Sequence, residues 1–108
     1  MGEIATERLK ELRRGCLMVL REMQVGTSEG WSTPRMVFNC LRSLDDDLTL
    51  AEVHRSLGYL KGKDYVQWRD LKLSKWDPPN PSFRLLPKGI DLLDKTIPPD
   101  PGVEDDRA

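Results

Sequence analysis

The sequence predicts an α+β domain in which three helices precede a two-stranded β-wing and a short closing helix, the order of a winged helix-turn-helix. Three observations support this prediction. Apolar residues recur at spacings of three and four up to residue 62, residues 65–75 alternate as a strand does, and a Pro-rich stretch separates them from a second apolar segment. At 108 residues the chain fits one domain with a modest core, which we place at residues 1–97.

The first two helices are predicted over roughly residues 4–24 and 34–44. Gly15 lies inside the first helix, which indicates either close packing of another element there, the reading we favour, or a locally weak helix. Thr33 or Ser32 is a suitable cap for the second helix, and Pro34 suits its first turn. The apolar stripe of the first helix contains Leu9, Leu12, Cys16, Val19, Leu20 and Met23. The expected buried face of the second contains Val37, Cys40, Leu41 and Leu44.

The third helix has the clearest start. Thr49 and Glu52 fit a capping box, and Gly62 can end the helix in the left-handed conformation. The two sides of this helix differ in chemistry. The side predicted to be buried contains Leu50, Val53, Leu57 and Leu60. The opposite side is small and basic and contains Ala51, His54, Arg55, Gly58 and Lys61.

The wing is predicted from two strand-like segments, residues 65–75 and 82–86, that pair antiparallel. The prolines of residues 77–81 lack the N–H donor that a strand needs, so this stretch forms the loop at the tip. Pro87 then opens the closing helix. Residues 98–108 are Pro-rich and acidic with little apolar content, which predicts a mobile tail.

Charge is distributed unevenly along a chain whose net charge is −1. Residues 52–76 hold six basic and three acidic residues, whereas residues 94–108 hold two basic and five acidic ones. Exposed charges farther apart than about 8 to 10 Å are largely screened, so a phosphate responds to the local field. The mildly acidic total therefore does not exclude DNA, and the predicted helix and wing are the basic part.

Several other classes of protein and site are not indicated by the sequence. No segment has the length and apolar character of a membrane span, and residues 1–10 lack the apolar core of a signal peptide, so we expect a cytoplasmic protein without membrane contact. Cys16 and Cys40 are expected to be reduced, and His54 has no second ligand nearby for a metal. Residues 45–47 lack the spacing of a calcium loop. We expect neither enzymatic activity, nor a cofactor, nor a metal.

Several short motifs of the sequence are shared with a known group of proteins. They include Gly30-Trp31-Ser32, Leu57-Gly58-Tyr59-Leu60, Leu86-Pro87-Lys88-Gly89-Ile90-Asp91 and Pro101-Gly102-Val103. In these motifs the chain resembles a family of small winged-helix proteins of Mu-like bacteriophages and prophages. The resemblance covers most of residues 7–103 and implies a fold and a regulator-like role in a bacterial host cell. The long Pro-rich wing departs from the compact wing of that family.

Double-stranded DNA is the partner that this prediction favours. A helix fits the roughly 12 Å major groove, where arginine can pair with guanine and alanine can meet a thymine methyl. The candidates for base readout are Ala51, His54 and Arg55, with Lys61 on the same helix face. The candidates for phosphate contacts are Ser32, Thr33 and Arg35 at the second helix and Arg69, Lys72 and Lys75 in the wing. A homodimer is expected, because one small module buries only about 600 to 1,000 Å² on DNA.

Two alternatives stay open at this stage. The basic side of the third helix can be a solvated surface without a partner. The fold can also serve as a protein-interaction adaptor, with Trp76 docking on a phage or host protein. Trp31 and Trp68 are expected to pack in the core.

Overall fold

The computed structural model describes residues 2–26, 30–70 and 81–105, and the structural statements below concern these residues. They form four helices and one two-stranded antiparallel sheet, an α+β arrangement compatible with a winged-helix-like fold. The elements in chain order are α1 (Gly2–Gly26), α2 (Pro34–Arg42), α3 (Leu50–Gly62), β1 (Val66–Asp70), β2 (Pro81–Leu85) and α4 (Pro87–Asp94).

Side-chain caps fix where α2 and α3 begin, as the sequence predicts. The Thr33 hydroxyl accepts a hydrogen bond from the Met36 N–H at 3.2 Å. The Thr49 hydroxyl accepts from the Glu52 N–H at 3.2 Å, and a Glu52 carboxylate oxygen accepts from the Thr49 N–H at 3.0 Å, which completes the capping box. The end of α3 differs from the prediction, because Asp64, rather than Gly62, has the positive φ of 63°.

The core lies between α1, α3 and the sheet, with one main contribution from α2. The predicted buried side of α3 is confirmed for Val53, Leu57 and Leu60, whereas Leu50 is half-buried. Burial raises the pKa of the Cys16 thiol to about 12, consistent with an inert structural cysteine. The other fully buried apolar residues include Leu17, Leu20 and Val37.

The sheet pairs as predicted and gains one residue from outside the two strands. Val66 lies opposite Leu85 and Asp70 opposite Pro81 in an antiparallel register. Ser32 adds an isolated bridge to Phe83, with N to O distances of 2.8 and 2.7 Å in the two directions. This bridge ties the chain just before α2 to the sheet. The predicted continuation of the first strand to residue 75 and most of the Pro-rich loop lie outside the described residues.

The predicted buried face of α2 is partly wrong. Cys40 is exposed, and Leu44, in the turn after the helix, is 84% exposed. These residues are exposed because of the place at which α1 and α2 come into contact. A Cβ on Gly15 would lie 3.1 Å from Leu41 Cδ2, so the two helices touch at Gly15 and Leu41. Close packing at Gly15 is thus confirmed, and the apolar residues beyond this contact remain open to solvent.

The predicted mobile tail needs correction for residues 98–105, which pack onto the helices. Asp100 is buried and accepts hydrogen bonds from the Tyr65 hydroxyl at 2.7 Å, the Gly102 N–H at 2.7 Å and the Tyr59 hydroxyl at 2.9 Å. Burial opposes ionisation of Asp100, but these donors hold the pKa of its carboxyl below the ordinary value. Val103 is also buried. The acidic segment therefore docks through the Asp100 carboxylate and the Val103 side chain. It is also held to α1, where Arg13 Nη1 donates to Gly102 O at 2.9 Å and Arg14 Nη1 lies 3.5 Å from a Glu104 carboxylate oxygen.

Candidate nucleic-acid interface

The outward side of α3 has the composition that the sequence predicts. All five of its residues are exposed, while Val53, Leu57 and Leu60 are buried on the other side of the same helix. Among the described residues, the Arg55 side chain has no hydrogen-bonding or ion-pair partner. The outward residues are Ala51, His54, Arg55, Gly58 and Lys61.

The acidic residue of α3 points away from this basic side. Glu52 lies against Arg8 of α1, with Arg8 Nε 3.1 Å from a Glu52 carboxylate oxygen, and Arg8 Nη1 lies 2.7 Å from an Asp45 oxygen. The hydrogen bond from Arg8 is the main reason why the pKa of Glu52 is lowered. Pairing with Arg8 thus offsets the negative charge of Glu52, and the outward side of α3 presents only basic and uncharged side chains.

Lys61 and Trp68 connect α3 to the sheet. Lys61 Nζ lies 4.2 Å from the centroid of the Trp68 ring, which is a cation-π contact. The expectation that Trp68 packs in the core is wrong, since the side chain is 42% exposed. Its cross-strand partner Phe83 is buried instead. The helix end and the strand therefore form one continuous surface.

Two arginines of the sheet pack against Trp31. The Arg69 guanidinium carbon lies 4.1 Å from the centroid of the Trp31 ring, and that of Arg84 lies 5.1 Å away. Arg84 Nε also donates to Gln67 Oε1 at 3.2 Å. The register puts Gln67 opposite Arg84 and Trp68 opposite Phe83, so these arginines occupy the sheet face opposite to Trp68. The sequence reasoning missed Arg84, although the alternation after the buried Phe83 places it outward.

The start of α2 supplies fewer phosphate-binding groups than predicted. Ser32 is fully buried and its backbone is bonded to Phe83, so the prediction that its hydroxyl contacts phosphate is wrong. The Thr33 hydroxyl caps the helix and is half-buried. Arg35 is exposed. Arg35 is thus the residue of this group whose side chain is open to a ligand.

The predicted wing contacts Lys72 and Lys75, and the predicted docking residue Trp76, lie outside the described residues. The described part of the sheet ends at Asp70 on β1 and begins at Pro81 on β2. The candidate groups therefore lie in two places: the outward side of α3, Arg35 and Trp68 in one, and Arg69 and Arg84 on the other face of the sheet.

Comparisons with protein-family models and with curated proteins identify no relative. No protein-family model matches the chain, and no curated protein matches it. Within the described ranges, no helix is long and apolar enough to cross a membrane. The same part of the chain holds no cluster of three or more His, Cys, Asp or Glu side chains suited to a metal ion.

Proposed function

We propose that the chain is a winged-helix protein that binds double-stranded DNA and regulates transcription, with α3 as the recognition helix. One observation carries the proposal. The outward side of α3 combines small and basic residues, and the acidic residue of the same helix is paired with α1. A bacterial cytoplasm and a phage or prophage setting are proposed from the sequence resemblance alone.

In this proposal the outward side of α3 enters the major groove. Arg55 donates two hydrogen bonds to a guanine, His54 contacts a neighbouring base edge, and Ala51 meets a thymine methyl. Gly58 lets the helix approach the groove floor without a side chain in the way. Base contacts of this kind set sequence preference.

In this proposal the phosphate contacts come from basic side chains other than those that read bases. Lys61 lies near the end of α3 against Trp68, Arg69 lies on the other face of the sheet against Trp31, and the exposed Arg35 lies in the first turn of α2. Lys72 and Lys75, which lie outside the described residues, are proposed to add phosphate contacts. Such contacts hold the protein on the duplex and supply most of the salt-dependent affinity. A homodimer provides the second half-site that one small module needs for specificity.

A protein-interaction adaptor of the same fold is the second candidate. The observation that favours it is the solvent exposure of the apolar residues Met18 and Leu44. Under the adaptor proposal, Trp76 and an acidic surface dock on a phage or host protein, and duplex DNA does not bind at about 50 mM salt.

Selection from a random duplex library with the full chain tests the DNA proposal. We expect an enriched motif, and we expect Arg55→Ala to remove preference for one guanine at a cost of about 1 to 3 kcal/mol. Arg21→Ala is the matched control. It removes an arginine from α1 whose Nη1 lies 2.8 Å from an Asp94 oxygen, away from α3.

The two variants separate base readout from loss of general charge. If Arg55→Ala and Arg21→Ala lower the affinity for the enriched motif equally, α3 does not read bases. If no motif is enriched and no duplex binds at low salt, the DNA proposal is wrong and the adaptor proposal takes its place.

A further inference from the structure

An apolar groove lies on the protein surface between α1 and α2. It is about 320 Å³ in volume. Its main apolar residues are Met18, Val19 and Met23 of α1 and Cys40, Leu41 and Leu44 of α2 and the following turn. Gly15 and Leu41, where α1 and α2 come close together, also line the groove.

The groove continues into a second cleft of about 260 Å³, which shares Gly15, Leu41 and Leu44 with it and extends to Arg8 and Asp45. From Arg8 to Met23 the combined groove follows α1 for a length of roughly 22 Å, at ~1.5 Å per residue. That length matches about four turns of a second α-helix.

Two large apolar residues of this groove are open to water. Leu44 is 84% exposed and Met18 is 50% exposed. Methionine adapts its shape to different partners, and contiguous apolar surface of this kind marks protein contact sites. Within the described part of the chain, Leu44 is thus almost uncovered and Met18 is half covered.

The charges that line the groove are predominantly acidic. Within the described residues, its ionisable side chains are Glu11, Glu22, Asp45 and Arg8. Arg8 is paired with Asp45 and with Glu52. Glu11 and Glu22 make no salt bridge within the described part of the chain, and they stand about three turns apart on one side of α1. The rim is therefore negative at both ends.

We propose that the α1–α2 groove binds an amphipathic α-helix of a partner protein, with large aliphatic residues on its inner face and Lys or Arg beside them. The length and the apolar lining fit a helix laid in a groove, and the negative rim fits flanking basic residues. A second copy of this chain fits less well, because two such grooves facing each other bring acidic rims together.

This groove is independent of the proposed DNA surface. It is built from α1 and α2, whereas the proposed DNA surface is centred on the outward side of α3. Variants in the groove should therefore leave DNA binding unchanged, and failure of the DNA proposal leaves the groove proposal standing.

A displayed library of helical peptides tests the proposal directly. The peptides carry Leu or Met at every third or fourth position and random polar residues between them, and the full chain is the bait. We expect selected peptides to be enriched in Lys and Arg. Their affinity should fall by about tenfold or more in Leu44→Asp, because a Leu contact of roughly 1.5 kcal/mol or more is lost.

Two further variants make the outcome specific. Met36→Asp changes a 42% exposed side chain of α2 that does not line the groove, and it should bind the selected peptides as the parent does. The double variant Glu11→Lys and Glu22→Lys should select acidic peptides instead. Equal thermal unfolding of the variants and the parent verifies that each is folded.

Five results would overturn the proposal. Selected peptides without an excess of Lys and Arg would show that the acidic rim does not recognise basic residues. The same conclusion would follow if the double variant Glu11→Lys and Glu22→Lys selected the same peptides as the parent. Selection of no helical peptide, or binding that Leu44→Asp does not weaken, would show that the groove is not the site. A parent dimer that Leu44→Asp converts to a monomer in sedimentation would assign the groove to a second copy.

Discussion

Replacing Asp100 should destabilise the whole domain, although the residue lies outside all four helices and both strands. Its buried carboxylate accepts hydrogen bonds from two tyrosine hydroxyls and one backbone N–H, at 2.7 to 2.9 Å. In Asp100→Ala all three donors lose their acceptor. A buried donor left unsatisfied costs about 1 to 3 kcal/mol. Tyr59 is half-buried and can regain water, so we expect a loss of about 3 to 5 kcal/mol.

Urea unfolding followed by circular dichroism measures this loss as a change in the free energy of unfolding. Asp46→Ala is the matched control, because Asp46 is an exposed carboxylate in the turn before α3 and should change stability by no more than about 0.5 kcal/mol. Tyr65→Phe removes one of the three donors and should cost less than Asp100→Ala. If Asp100→Ala is as stable as Asp46→Ala, the tail does not hold the fold together.

The stability that Asp100 contributes should depend on pH, and the lowered pKa of its carboxyl determines the direction of that dependence. The pKa of Asp100 is lowered in the folded protein, so its ionised form adds stability above the unfolded pKa of about 3.9. This stability is lost as the pH falls through the folded pKa. The stability difference between the parent and Asp100→Asn should be constant from about pH 6 to 8 and shrink below about pH 4. A difference that grows on acidification would contradict the account.

Three further predictions concern the core and the accessible surface. Leu57→Ala should lower the free energy of unfolding by about 2 to 5 kcal/mol, because the side chain is fully buried, and an unchanged melting temperature would refute its place in the core. Gly89→Ala should destabilise the fold, because a Cβ at this position would collide with the backbone carbonyl of the residue before β1. Gly58→Ala should stabilise α3 by about 0.5 to 1 kcal/mol, because a Cβ at this position meets no neighbouring atom. Denaturant midpoints of the two variants and the parent test both predictions. A thiol reagent should label exposed Cys40 in the native protein while buried Cys16 reacts only on unfolding, and equal native rates would contradict the structure.

The features that sequence reasoning predicted well are set by neighbours along the chain. The Thr49 and Glu52 capping box depends on residues three positions apart, and Pro87 at the first turn of α4 is equally local. The antiparallel pairing of the wing also follows from local alternation and a Pro-rich tip. The buried and outward sides of α3 could be distinguished from the sequence because helical spacing alone determines which residues share a face.

The features that were missed depend on contacts across the fold. Periodicity grouped Leu44 with the buried residues of α2, but it could not tell that no described element covers that position. The docking of Asp100 depends on tyrosines 35 and 41 positions away, which no local pattern indicates. Ser32 was assigned to phosphate because it precedes a helix, yet pairing with Phe83 buries it.

The salt dependence of duplex binding is the most direct test of the proposed DNA contact. Each phosphate contact contributes about 0.9 to the slope of log affinity against log salt. We expect binding by the parent to weaken steeply between about 50 and 200 mM salt, and the double variant Lys61→Ala and Arg69→Ala to flatten the slope by about 2. Arg21→Ala should keep the parent slope. A parent that binds no duplex at low salt, or a double variant with the parent slope, would contradict the assignment of this surface to DNA.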